Sequence, residues 1–270
     1  MTSIFSFLMV LRHLGQYMAS LDRDAGIKTL TMVATRKYQQ SLPSRVMRLA
    51  ALFSGGKDST YAIYLMEQQG HSVIHLVSVL PSNPHSMVFH TPNLHLLPQM
   101  AEAMGKSMIT AHSDGTEGGD LEAMARALSL IKVDGVVTGA IASDYQWDRI
   151  NWVCERLGLR VFSPLWRREQ EMLLRDLFSS GIEAVVAAVM AEGLGPEWLG
   201  RPLDERALTE LLELRRMKGV NPSGEGGEYE SLVIDSPLHL KRLELVEVER
   251  SVARDQARLM VRRVELRDKA

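Results

Sequence analysis

Leu49-Ala50-Ala51-Leu52-Phe53-Ser54-Gly55-Gly56-Lys57-Asp58-Ser59-Thr60 decides how this chain folds. Its first five residues are a short apolar run closed by a turn signal, the pattern of a buried strand. Gly55 and Gly56 admit backbone conformations that other residues resist. Ser54, Asp58, Ser59 and Thr60 are small polar residues suited to a helix N-terminus, and residues 60–69 then have helical length before Gly70. A strand–Gly-Gly–helix junction gathers unpaired backbone N–H groups and the positive end of a helix dipole at one point, which suits phosphate. Lys57 adds a positive charge. The Walker-A pattern does not fit, because it ends in Gly-Lys-Ser/Thr with an earlier Gly at fixed spacing, whereas Gly56-Lys57 is followed by Asp58. A carboxylate inside a phosphate loop points to Mg2+ between the two, with Asp58 as the metal ligand.

Downstream the chain alternates apolar strands with amphipathic helices. Strands are expected at residues 73–80, 107–110, 133–140 and 160–166, and helices at 96–104, 121–131 and 145–157. This order predicts an α/β fold with a parallel sheet covered on both faces. Ligands of such sheets sit beyond the carboxyl ends of the strands, where both Gly55-Gly56 and Gly139 lie. Just after Gly139 come Ser143, Asp144, Gln146 and Arg149. Ser143 or Asp144 is the expected helix cap, and Arg149 is a candidate for holding phosphate or carboxylate.

The intervening segments read more plainly. His85, His90 and His95 match no zinc spacing and sit around Pro92, so a loop is expected, with Thr91 or Asn93 capping the helix after it. The acidic glycine stretch at 113–120 reads as a solvated loop. Cys154, flanked by Trp152, Val153 and Leu157, reads as a buried inert thiol.

Composition shifts after Trp166. A charged amphipathic helix at 167–180, a strand at 183–190 and a helix at 204–217 capped by Asp204 are expected. The second chemical stretch follows: Gly219-Val220-Asn221-Pro222-Ser223-Gly224-Glu225-Gly226-Gly227-Glu228-Tyr229-Glu230-Ser231. A carboxylate-rich loop entering the strand 232–234 suits a Mg2+, amine or substrate site, while a flexible linker is the plain alternative. Residues 243–266 alternate apolar and charged residues on both sides of Arg254-Asp255-Gln256, the pattern of a β-hairpin.

The chain of 270 residues is 46% hydrophobic and 24% charged, ordinary for a soluble globular protein. A formal net charge of -2 gives no electrostatic reason to expect direct nucleic-acid binding. One cysteine forms no internal disulfide, which fits a reducing cytoplasm. No apolar run approaches the roughly 18 residues of a membrane span. Residues 1–46 have no clear period and are expected to be a poorly ordered or partly helical extension, with Met47 as a candidate true start. The expected divisions are therefore 1–46, a nucleotide-binding domain at 47–166 and a smaller α+β domain at 167–270 that closes over it.

Ser54-Gly55-Gly56-Lys57-Asp58-Ser59 resembles the signature of the PP-loop ATP pyrophosphatases. Together with Phe89-His90-Thr91-Pro92-Asn93, the 139–145 stretch with Arg149, Pro164-Leu165-Trp166 and the 219–231 loop, it resembles the diphthine–ammonia ligase family of PP-loop enzymes. The resemblance covers residues 47–239. It implies a Rossmann-like, adenine nucleotide alpha hydrolase-like sheet and an ATP-dependent amide ligase. That enzyme adenylates the diphthine carboxylate on elongation factor 2 and lets ammonium form diphthamide, releasing AMP and pyrophosphate. Mapped here, Ser54, Gly55, Gly56, Lys57, Asp58, Ser59, Gly139, Asp144 and Arg149 would bind ATP and pyrophosphate, with Tyr145 helping to shape the nucleotide side. Glu225, Gly226, Gly227, Glu228, Tyr229 and Glu230 would face diphthine, whose trimethylammonium group suits carboxylates and an aromatic face. Lys57, Asp58 and Glu228 would be catalytic. The alternatives are another PP-loop amide ligase or RNA-modifying enzyme, or a non-catalytic adenine-nucleotide sensor. The single cysteine disfavours sulfur transfer, the net charge disfavours tRNA, and the retained Lys57 and Asp58 disfavour a sensor. The oligomeric state is not set by the sequence.

Overall fold

The computed structural model describes residues 45–82 and 93–269. Expectations for residues 1–44 and for His85, Phe89, His90, Thr91 and Pro92 lie outside the described residues. The elements in chain order are β1 (Arg48–Leu52), α1 (Lys57–Gln68), β2 (Ser72–Pro81), α2 (Leu97–Ala103), β3 (Ser107–Ser113), α3 (Glu117–Ser129), β4 (Gly135–Val137), α4 (Asp144–Arg156) and β5 (Arg160–Phe162). Then come α5 (Gln170–Ser179), β6 (Glu183–Val189), α6 (Glu205–Lys218), β7 (Tyr229–Asp235), β8 (Lys241–Val252) and β9 (Ala257–Asp268).

The first five strands form one sheet in the order β3-β2-β1-β4-β5, parallel throughout. This is the Rossmann-like α/β architecture expected. β1 sits in the centre, between β2 and β4, and the strand order reverses there. The loops leaving β1 and β4 therefore diverge at the crevice where such sheets bind ligands. Side chains alternate across β1. Leu49, Ala51 and Phe53 pack with Tyr61, Ile63, Leu97 and Met100, and Ala50 and Leu52 pack with Met124, Leu128, Ile150 and Val153 on the other face. Cys154 is fully buried in that second group, and burial pushes its thiol up to about 12, as an inert thiol should be.

Residues after Trp166 build a four-stranded sheet in the order β7-β6-β9-β8, with every pairing antiparallel. The β8–β9 hairpin is the one expected, running from Lys241 opposite Asp268 to Val252 opposite Ala257. One apolar cluster joins the two sheets: Leu49, Phe53 and Met100 belong to the same buried group as Val186, Val233, Leu259 and Val261. From Val46 onward the chain is one compact unit.

Several local expectations are corrected. α1 begins at Lys57 rather than residue 60. Gly56 is its N-cap, in extended backbone and with no side-chain cap. The 113–120 stretch is not a solvated loop but the entry to α3. Asp114 takes the Thr116 N–H at 2.9 Å, Thr116 takes the Gly119 N–H at 3.0 Å, and Asp120 is buried and accepts from the Ser113 hydroxyl. The Thr116 cap, itself held by Asp114, outweighs the weak helix propensity of its glycines. β4 is shorter than expected, ending at Val137, and Gly139 beyond it lies close against the start of α1. Asn93 does not cap a helix through its side chain. Its amide instead bridges to β9, donating to the Leu259 carbonyl at 2.8 Å and accepting the Val261 N–H at 2.9 Å. His95 meets the Val261 carbonyl at 2.7 Å, which accounts for it without a metal.

Candidate active site

The 54–59 turn follows directly from its residues. Gly55 has φ +77°, and a Cβ there would meet Met100 Sδ at 2.8 Å, so both conformation and packing demand glycine. Ser54 Oγ accepts the Gly56 N–H at 3.3 Å and lies 3.2 Å from Ser59 Oγ, closing the turn on itself. Gly139 has a different reason to be glycine. A Cβ there would sit 2.7 Å from the Ser59 nitrogen, so the exit of β4 reaches α1 only because it has none.

The turn is fastened to β7 of the second sheet. Ser231 Oγ accepts the Lys57 N–H at 3.1 Å, and the Val233 N–H donates to the Gly55 carbonyl at 3.0 Å. The Lys57 side chain, 3% exposed, donates to Asp58 Oδ2 at 2.7 Å and to the Ser223 carbonyl at 2.5 Å. Its ammonium lies 5.3 Å from the centre of the Tyr229 ring. Burial pulls the Lys57 pKa down, but Asp58, Tyr229 and Glu230 outweigh it and hold the group above the ordinary lysine value. Its bonds to Asp58 and Ser223 make it a fixed cation.

A cavity of about 310 Å³ opens at this junction. Ser54, Asp58, Ser59, Gly139, Glu225, Gly227 and Glu230 line it, together with Ser78, Thr138 and Gln146. Asp58 Oδ1 is buried and has no hydrogen-bond partner. Sequence reasoning thus brought the glycine loop and two of the three glutamates to one place. Gln146, singled out after Gly139, also lines it, whereas Ser78 and Thr138 were missed. Thr138 lies next to Gly139 at the exit of β4, which is the signal that would have found it.

The three glutamates have different surroundings. Glu225 Oε1 accepts backbone N–H groups from Ile141, Ala142 and Ser143, at 3.3, 2.8 and 3.1 Å, leading into the N-terminus of α4. Burial raises its pKa, the N–H groups of Ala142 and Ser143 oppose that, and Asp58 adds to it. Glu228 is spent inside its own loop. Its Oε1 accepts from the Asn221 N–H at 3.1 Å and from Asn221 Nδ2 at 2.6 Å, and its Oε2 accepts the Gly226 N–H at 2.8 Å. Glu230 makes no hydrogen bond or ion pair among the described residues. Burial, with Asp58 adding to it and Lys57 and Arg258 opposing it, pushes its carboxyl up to about 7.

Other expected residues lie elsewhere. Tyr229 is 3% exposed and donates its hydroxyl to the Pro222 carbonyl at 2.7 Å, so its ring supports Lys57 from below instead of facing a ligand. Asp144 pairs with Arg167 at 2.7 Å on the surface. Arg149 pairs with Glu117 at 2.5 Å, and its guanidinium stacks 3.3 Å over the Tyr145 ring. Asp144, Tyr145 and Arg149 do not line the cavity. Ser143 caps α4, accepting the Gln146 N–H at 3.3 Å.

Comparison with known proteins adds the following. Models of the diphthamide synthase N-terminal domain and C-terminal domain match residues 47–161 and 169–266. The diphthine–ammonia ligase of Bos taurus is 39% identical over 220 residues, covering 73% of this chain and 82% of that protein. The diphthine–ammonia ligase of Danio rerio is 36% identical over 233 residues, covering 78% and 91%. That of Schizosaccharomyces pombe is 35% identical over 223 residues, covering 75% of this chain and 37% of the longer yeast protein.

Proposed function

Because the chain belongs to the diphthamide synthase family, we propose that it uses ATP to convert diphthine on elongation factor 2 to diphthamide, with ammonium as the nitrogen source. It is a ligase that forms a carbon–nitrogen bond. The observation that carries the reading is the junction of the glycine loop with the loop of glutamates. A phosphate cradle and acid groups from the second sheet line one cavity.

The reaction divides between these two walls. A diphthine carboxylate oxygen attacks the α-phosphorus of ATP. The bond from that phosphorus to the bridging oxygen breaks, and pyrophosphate leaves. Ammonium gives up a proton to solvent, and the ammonia formed attacks the acyl carbon and sheds a second proton to solvent as the amide forms. AMP departs with the former carboxylate oxygen. Ser54, Gly55, Gly56 and Ser59 hold the β and γ phosphates, and the buried Lys57 fixes a positive charge beneath them. Such preset charge needs no reorganisation as pyrophosphate forms. Asp58 fits Mg2+, because its Oδ1 is buried and lacks a partner. When bound there, Mg2+ supplies neutralisation of phosphate charge. Glu228 shapes the substrate loop through three hydrogen bonds and is a positioning residue in this reading, not a catalytic one.

The test is a pyrophosphate-release assay with ATP, Mg2+, ammonium and diphthine-bearing elongation factor 2. AMP and diphthamide are expected to form in equal amounts, and omission of any one component should stop both. ATP binding without turnover under the full mixture would favour a nucleotide sensor. Turnover that ignores the protein substrate would favour another PP-loop ligase.

A further inference from the structure

Gln146 and Ile150, four residues apart on α4, line the cavity. The positions on either side of them are aromatic and guanidinium. Tyr145, Arg149, Trp152 and Arg156 recur at helical spacing along one flank. There the Arg149 guanidinium lies 3.3 Å from the centre of the Tyr145 ring and that of Arg156 4.5 Å from Trp152. On the other flank Trp147 stacks on Trp166 at 5.4 Å, and the Arg167 guanidinium lies 5.1 Å from the Trp166 ring. Three of the chain's four tryptophans therefore gather on one surface. Cation–ring contacts occur about once in 70–80 residues, so three within residues 145–167 set this surface apart. The core does not need these rings: α4 buries Ile150, Val153 and Cys154, while Trp152 is 48% exposed. Arg167 holds φ +59°, a left-handed conformation that costs a non-glycine residue free energy and that gathers at functional positions.

Exposed arginines and large aromatic rings are what protein interfaces concentrate. RNA also stacks on such rings, but it binds through cations whose charge is free to meet phosphate. Here each guanidinium has a carboxylate of its own. Arg149 pairs with Glu117 at 2.5 Å, Arg156 with Glu122 at 3.0 Å and Arg167 with Asp144 at 2.7 Å. The charge left over is acid. Asp148 and Glu155, both exposed on the outer face of α4 between the two flanks, make no ion pair among the described residues. That charge repels phosphate and complements a basic protein surface. Because α4 lines the cavity with its inner side, a protein that delivers a carboxylate there comes to rest beside α4.

We propose that the outer face of α4, with Trp166 and Arg167, is the surface on which the protein substrate docks, and that it meets a basic part of that protein. This rests on elongation factor 2 being the substrate. The test compares the full chain with Trp152→Ala and with Asp148→Lys/Glu155→Lys, positions that do not line the cavity. Should the double variant not fold, Asp148→Asn/Glu155→Gln carries the same test. In each variant KM for diphthine-bearing elongation factor 2 should rise about tenfold, while kcat and KM for ATP stay within about twofold. Added salt should raise that KM in the wild type and do so less in the double variant. An active wild type whose variants keep its KM for the protein would overturn the surface. So would losses confined to kcat or to ATP affinity. RNA binding that Trp152→Ala abolishes, with KM for the protein unchanged, would give the face to nucleic acid. A wild-type dimer that Trp152→Ala splits in sedimentation, again with KM unchanged, would give it to a second copy. A wild type that leaves diphthine-bearing elongation factor 2 unamidated would refute the substrate reading, and the docking surface with it.

Discussion

Lys57 and Asp58 are a pair before they are anything else. Among the described residues Asp58 Oδ2 is the only carboxylate oxygen bonded to the Lys57 ammonium, which is 3% exposed. Asp58→Ala would strand a buried cation, so its effect on AMP formation is mixed with an effect on the fold. Stranding one partner of a buried pair costs about 3 kcal/mol, at the low end because Asp58 is 28% exposed. Urea unfolding of Asp58→Ala should show that loss, and Lys57→Met in the same chain should recover part of it. Additive losses would mean the two side chains are independent. Gly55→Ala should cost about 1–3 kcal/mol through its φ of +77° alone and more through contact with Met100, measured the same way. At this scale the sequence was informative about which residues gather and silent about which way they face. Ser54, Asp58, Ser59 and Gly139 were legible because a glycine turn between strand and helix has few geometries. Tyr229 was not, because whether a strand residue faces a cavity or a buried lysine depends on a register that no local pattern records.

The elements repeat this division. Strongly periodic segments such as β2, α4 and the β8–β9 hairpin were readable, since burial of one face imposes the period. The start of α3 was not, because glycines at 118 and 119 look like a loop until Thr116, held by Asp114, is seen to cap the helix. The 219–228 loop is ordered by Glu228, whose oxygens meet three donors. Glu228→Gln places an amide N–H2 against backbone N–H groups and should loosen the loop. Hydrogen exchange at residues 221–228 should quicken and KM for the protein substrate should rise, with ATP affinity little changed. Unchanged exchange would remove the positioning role. A second element-scale device is the turn after β7, where His239 Nδ1 lies 2.6 Å from Ser236 Oγ. Burial depresses the His239 pKa from 6.5 to about 4. The unfolded chain therefore takes up a proton as pH falls through about 6.5, and the folded chain does not until about 4. The stabilisation is whole above pH 6.5 and is lost between 6.5 and 4, amounting to about 3 kcal/mol. Urea unfolding at pH 7 and pH 5 should show this slope, and His239→Asn should flatten it.

At the scale of the molecule, the two sheets share an apolar core and are bonded through the loop that holds phosphate in our reading. We propose that the divide near residue 166 separates two sheets rather than two independently folding pieces. Residues 47–166 alone would expose Phe53, Leu97 and Met100. The stacked Trp147–Trp166 pair reports on one sheet and the buried Trp198 on the other. Fluorescence of variants retaining either set should give one urea midpoint, coincident with circular dichroism. Two midpoints would mean separable domains. The shared core also explains why the cavity was only half legible: its glycine-loop side lies within one sheet, but its acid side depends on how the second sheet packs. The central claim is that this cavity joins ATP cleavage to amidation of a protein-borne carboxylate. The most direct measurement is mass spectrometry of diphthine-bearing elongation factor 2 after incubation with the chain, ATP, Mg2+ and 15N-ammonium, with AMP measured alongside. Incorporation of one 15N for each AMP is the predicted result, and AMP formed without 15N in the protein would contradict it.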